Sequence, residues 1–133
     1  MTQEDDTTLV VKGSLRTIEY AVTASGAMPA KEFIKELDDG DKRKLDVLFR
    51  RMAEMGRIFN REQFKQVEGK IYEFKRYQLR IGCFQAEHRW LLTHGFFKKS
   101  DKWPKSEIDR AQRIMNEHLQ RKTGGSKPER PNR

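Results

Sequence analysis

Residues 89–108 read RWLLTHGFFKKSDKWPKSEI, and the fold turns on how this stretch is parsed. Trp90 to Thr93 has the composition of a buried strand. His94 and Gly95 follow, then Phe96 and Phe97, then Lys98, Lys99 and Lys102, before Pro104 opens a helix. One strand therefore carries an imidazole and several ammonium groups to its own exit. Such an exit suits a polyanion, because the strand fixes position while the charges meet phosphate.

Working outward, this strand needs neighbours, and upstream the pattern has a period of two. In Ile71–Lys75, Tyr72 and Phe74 point one way and Glu73 and Lys75 the other. In the next run Leu79, Ile81 and Cys83 alternate with Gln78, Arg80 and Gly82. The short link through Arg76 and Tyr77 predicts an antiparallel hairpin. Gln85–His88 then turns the chain into the third strand, Arg89–Phe97, which completes a meander. Strict alternation places His94, Phe96 and Lys98 on one face, an arrangement that a bulge at Gly95 would change. Arg57 to Gly69 reads as irregular, with Phe59, Phe64 and Val67 tacking it onto the core.

The meander has a helical hairpin to cover. Pro29 sits where a first helical residue is expected, and Ala30, Phe33, Ile34 and Leu37 share a face. Asp38-Asp39-Gly40 ends this helix, and Asp41 is expected to cap the next. There Leu45, Leu48, Phe49 and Met52 form the buried stripe, and Gly56 supplies the stop. Arg16–Val22 has strand composition. Leu9–Val11 either pairs with it through Lys12-Gly13-Ser14 or extends an edge. The last helix begins near Pro104, with Ile108, Ala111, Met115 and Leu119 as its stripe. The expected organisation is a flexible 1–8, one domain over 9–120 and a disordered basic tail over 121–133. The fold class is α+β: a small, mainly antiparallel sheet packed on a helical hairpin, plus a C-terminal helix.

Composition narrows the function. Apolar residues make up 35% of the 133 and charged residues 36%, so the core is economical. The single cysteine, Cys83, excludes an internal disulfide and any cysteine-rich zinc module. No stretch is long enough to span a membrane, and the acidic start MTQEDDTT lacks the features of a secretory signal. These features predict a cytoplasmic protein. A net charge of +8 favours nucleic acid or an acidic protein as partner.

The histidines, His88, His94 and His118, have no metal-ligand spacing, and no glycine-rich phosphate loop or nucleophile elbow appears. No metal or cofactor is expected. The supply for a site is basic: Lys75, Arg76, Arg80, His94, Lys98, Lys99 and Lys102. Metal-free RNA cleavage needs little more. A base takes the proton of the ribose 2′-OH, the oxygen attacks phosphorus, an acid protonates the leaving 5′-oxygen, and cations hold the phosphorane. Plainer readings stand beside this one. Spacing alone favours His94 as a hydrogen-bonded histidine at a strand end. Arg80 fits an exposed arginine, Trp90 and Phe96 fit the core, and Cys83 fits as a small core residue.

Three segments resemble one family. YEFK at 72–75 is similar to the "YELR" strand of the HigB-like branch of the RelE/ParE toxin superfamily, a branch that includes phage-derived toxins. RIGCF at 80–84 resembles its "RILYF", and LLTHGFFKKSDKWPKSE at 91–107 resembles its "LLHGFxKKxxKTPxxE". The similarity runs from about Thr17 to Leu119. It implies a RelE-like fold and the ribosome-dependent mRNA endonuclease of a type II toxin–antitoxin module, cutting mRNA without a metal. Its implied partners are the ribosome, mRNA and a helix-turn-helix, HigA-like antitoxin, whose complex with the toxin binds operator DNA. By position, Arg80, His94, Lys98 and Lys75 are the catalytic candidates, and Arg76, Lys99 and Lys102 the RNA-positioning ones. Lys75 stands where the motif has arginine, Leu79 and Cys83 stand where tyrosines are common, and Trp103 replaces a threonine before Pro104. The same superfamily leaves two rival expectations, a ParE-like DNA gyrase inhibitor and a non-catalytic nucleic-acid-binding domain.

Overall fold

Alternating apolar residues on consecutive short runs leave the chain little choice but a sheet, and the sheet sets the architecture of the computed structural model. Residues 8–100 and 102–126 are described. The strands are β1 (Leu9–Lys12), β2 (Thr17–Tyr20), β3 (Phe64–Glu68), β4 (Ile71–Arg76), β5 (Leu79–Ala86) and β6 (Arg89–Phe97). The helices are α1 (Pro29–Lys35) and α2 (Asp39–Met55), between β2 and β3, and α3 (Lys105–Ser126) after β6. The sheet has six strands in the order β1-β2-β6-β5-β4-β3. The β2–β6 pair is parallel, its connection running through the helical hairpin and β3–β5, and every other pair is antiparallel.

Two apolar layers result, one on each face. Leu45, Leu48, Phe49 and Met52 of α2 pack with Phe74, Ile81, Cys83, Trp90 and Leu92. On the opposite face Ala111 and Ile114 of α3 pack with Ile71, Phe84 and Leu91. The sheet is thus buried on both sides, which is why β5 and β6 are almost continuously buried. No helix among the described residues is long and apolar enough to cross a membrane.

The structure redraws several expectations. Phe64–Glu68 is a strand, not irregular chain, paired antiparallel with β4. Phe64 is buried and Val67 partly buried, but Phe59 is 80% exposed and does not anchor the segment. Leu9–Lys12 pairs with β2, which resolves the open choice at the N-terminus. The cap of α2 is Asp38, whose carboxylate accepts from the Asp41 backbone N–H at 2.8 Å; Asp41 itself lies inside the first turn. The buried stripe of α3 passes through Ala111, Ile114 and His118, while Leu119 is exposed. The backbone of 121–126 continues α3, and 1–7 and 127–133 lie outside the described residues.

β6 contains a bulge. Cys83 is opposite Leu92 but Ile81 is opposite Gly95, so Thr93 and His94 together face Gly82. The extra residue lies just before Gly95 rather than at it. Gly95 instead lets the Phe33 ring of α1 lie on the strand, where a Cβ would overlap that ring. Gly95→Ala should therefore lower stability by about 1–3 kcal/mol in urea unfolding. Phe33→Leu in the same chain should recover part of the loss.

Candidate functional site

Successive residues of a strand face opposite ways, so the face that turns away from α1 and α2 can be read off the register. β4 supplies Glu73 and Lys75, β5 supplies Arg80 and Gly82, and β6 supplies His94 and Phe96, with Lys98 just past its end. α3 covers one end of this face. Trp103, in the segment before α3, closes the middle. Its ring meets Phe96 edge-on at 4.8 Å and His94 at 5.8 Å between centroids. It fits because Gly82 has no side chain: a Cβ there would lie 2.9 Å from Trp103 Cη2.

Beneath Trp103 lies a carboxylate. Glu73 is 1% exposed, and its Oε1 accepts from Trp103 Nε1 at 2.7 Å. The same oxygen is 3.1 Å from Arg80 Nε, close enough for an ion pair though not aligned as a hydrogen bond. Arg80 is opposite Lys75 in register. Its Nη1 donates to the carbonyls of Tyr77 and Leu79. Arg80 is only 5% exposed, so it is a held cation, not the surface arginine that alternation suggested.

Several cations surround this pair. A cleft of about 680 Å³ is lined by Lys65, Lys75, Arg80, Lys98 and Lys99 among others. A smaller one of about 310 Å³ reaches Lys102, Trp103 and Glu73 from the side. Lys98 is buried at the junction of the two. Burial first, and then the Arg80 charge, push its pKa below the ordinary 10.5, with Lys65 and Lys75 adding and Glu73 opposing. Lys75 is half-buried, with Nζ 3.3 Å from the Arg61 carbonyl oxygen.

Four of the expected residues, Lys75, Arg80, Lys98 and Lys99, meet at one cleft, and Lys102 reaches the adjoining one. Arg76 does not join them. Its Nε is bonded to Asp41 at 3.1 Å and its guanidinium lies over the Tyr77 ring, 4.4 Å from the centroid. His94 is the main departure. It is 0% exposed, with Nε2 2.9 Å from Glu107 Oε1 and Nδ1 3.2 Å from Thr93 Oγ1, and its ring stacks on Phe96. Burial first, and then Arg110, lower its pKa to about 4, against the opposing pull of Glu107. The imidazole is neutral at physiological pH and ties β6 to α3. Its placement fits a core histidine and keeps it from the clefts.

The sequence reading missed Lys65, Glu73 and Tyr77. Lys65 was hidden by reading its strand as irregular. Glu73 carried a signal, a carboxylate among the cations on the polar side of a strand, but nothing marked it as buried. Among the described residues, no three His, Cys, Asp or Glu side chains converge on a possible metal position.

The family model described as "Phage derived protein Gp49-like (DUF891)" matches residues 32–116. The chain belongs to this family. Gp49-like proteins are a RelE/HigB-type toxin family of toxin–antitoxin systems, and the sheet and three helices are consistent with a RelE-like fold. The matched span runs from α1 into α3 and includes every residue of the basic cleft. Membership implies an antitoxin partner. No curated protein matches the chain.

Two outcomes follow from these titrations. The folded pKa of His94 lies below its unfolded value, so the unfolded chain takes up a proton first as pH falls. The stability His94 contributes is full above about pH 6.5 and is lost on the way down to about pH 4. The cost of His94→Gln, measured by urea unfolding, should shrink by roughly 2 kcal/mol between pH 7 and pH 5. An unchanged difference would remove the buried neutral imidazole. For Lys98, NMR titration of the Cε signal should show deprotonation below the ordinary 10.5.

Proposed function

We propose that this protein is the ribosome-dependent mRNA endonuclease of a type II toxin–antitoxin module, of the HigB-like branch, acting in the cytoplasm without a metal. The observation that carries the reading is the convergence of Lys65, Lys75, Arg80 and Lys98 on one open cleft, with the buried Glu73 carboxylate holding Arg80. Such a cluster of cations suits a phosphodiester passing to a dianionic phosphorane.

In this reading the 2′-oxygen–phosphorus bond forms as the phosphorus–5′-oxygen bond breaks. The 2′-OH proton passes to a base and the 5′-oxygen receives one from an acid. Lys98, with its lowered pKa, is the residue best suited to move a proton, and Lys75 assists it. Arg80, held by Glu73 and two carbonyls, presents a fixed cation to the non-bridging oxygens. Lys99 and Lys102 position the strand. His94 acts through the packing of Trp103 and α3, as a positioning residue and not as the acid or base. Arg76 acts through Tyr77. The cleft is shallow and lined by cations rather than by a matched acid–base pair. The ribosome would then supply the in-line alignment of the 2′-OH. A helix-turn-helix, HigA-like antitoxin would neutralise the enzyme, and the complex would bind operator DNA.

The test is reconstituted translation of a defined mRNA with primer extension, with and without ribosomes. Lys98→Met and Arg80→Lys should each lower A-site cleavage by roughly 100-fold. Arg80→Lys is preferable to Arg80→Ala, because the latter would leave Glu73 buried without a counter-charge. Cuts that do not need ribosomes would replace this reading with a free ribonuclease. No cuts from folded protein would replace it with a binder, and a supercoiling assay would then identify a ParE-like gyrase inhibitor.

A further inference from the structure

β4 and β5 are joined by a two-residue tip, Tyr77-Gln78, and Tyr77 adopts φ 54°. That left-handed backbone favours Gly, Asn or Asp, and a bulky aromatic there is strained. The ring is also 82% exposed. An aromatic that is both strained and solvated contributes little to folding, so its placement points to a ligand.

The surroundings say which kind. Arg76 is anchored to Asp41 and lies over the Tyr77 ring, which fixes the ring's position. The Tyr77 carbonyl accepts from Arg80 Nη1, so the same turn that projects the ring also holds the phosphate-facing cation. Tyr77 stands between two clefts that share Lys75 and Arg80. One is the basic cleft of about 680 Å³, and the other, of about 510 Å³, runs toward Val47 and Arg51 on α2. A flat apolar ring beside a row of cations is the arrangement that captures single-stranded nucleic acid, with bases on the ring and phosphates on the charges.

We infer that Tyr77 is a base-stacking subsite, which receives the base of a nucleotide whose phosphate lies at Arg80 and Lys98. This rests on the RNA reading of the cleft. It assigns to a hairpin tip the base contact that cations alone cannot make, and it gives Arg76 the task of holding the ring.

The experiment compares binding of a short single-stranded RNA with binding of the same strand carrying abasic sites, by fluorescence anisotropy at low salt. The wild-type protein should prefer the base-bearing strand by about tenfold. Tyr77→Phe and Tyr77→Trp should keep the preference. Tyr77→Asn should abolish it while raising the thermal midpoint, because asparagine tolerates the left-handed backbone. Arg80→Lys should weaken both strands alike and leave the preference intact. Preference retained in Tyr77→Asn, or absent in a wild-type protein that still binds RNA, overturns the subsite and leaves the RNA reading standing. If the wild-type protein binds neither strand, both readings of this face fall.

Discussion

The buried carboxylate of Glu73 is the constraint that organises the face carrying the site. A carboxylate removed from water must be met by donors or opposite charge. Here one oxygen meets Trp103 Nε1 at 2.7 Å and Arg80 Nε at 3.1 Å. Those two contacts do different things. The first pins Trp103 across the sheet, which closes the apolar layer where α3 does not reach. The second fixes a guanidinium that would otherwise sweep through solvent. The first needs Gly82, since a side chain there would displace the indole. The bulge at Thr93 and His94 completes the same joint from β6, by aiming the imidazole at Glu107.

The electrostatics follow from this geometry. Lys65, Lys75, Arg80 and Lys98 line one cleft, and the buried Glu73 carboxylate pairs with Arg80. Exposed lysines would spread their charge at little cost. Lys98 cannot, because it is buried beside Arg80, and its pKa falls as a result. The same physics separates two of the catalytic candidates, His94 and Lys98. His94 lost its charge to burial and was absorbed into the core, whereas Lys98 was weakened as a base while still lining the cleft.

Much of this was legible in the sequence because alternation survives translation into a sheet. Tyr72, Phe74, Leu79, Ile81 and Cys83 face the helical hairpin as their spacing requires. What failed to show was whatever depended on a second layer. FKQVE has only one large apolar residue facing each way, so β3 gave little periodic signal. Arg80 and Glu73 looked exposed because they lie opposite the obvious core, and only Trp103 and α3 reveal that this face is covered too. The bulge was invisible because it changes register and not composition. For α3, four residues at helical spacing fitted a stripe ending at Leu119, but the sheet selects the neighbouring stripe through Ile114 and His118.

The residues that depart from the RelE/HigB-type pattern look different once the faces are known. Leu79 and Cys83 replace tyrosines common around the strand arginine, which seemed to strip the site of aromatic chemistry. Both side chains point into the layer shared with α2, at 1% and 0% exposure, on the face opposite the basic cleft. Replacing them alters packing and removes nothing from the cleft. The aromatic surface beside Arg80 comes from the turn that precedes it in sequence. A turn residue can vary without disturbing the alternation that builds the sheet, so it is a place where recognition changes while the fold does not. On this argument, two members of such a family can share the cations of the cleft and still differ in which base they accept.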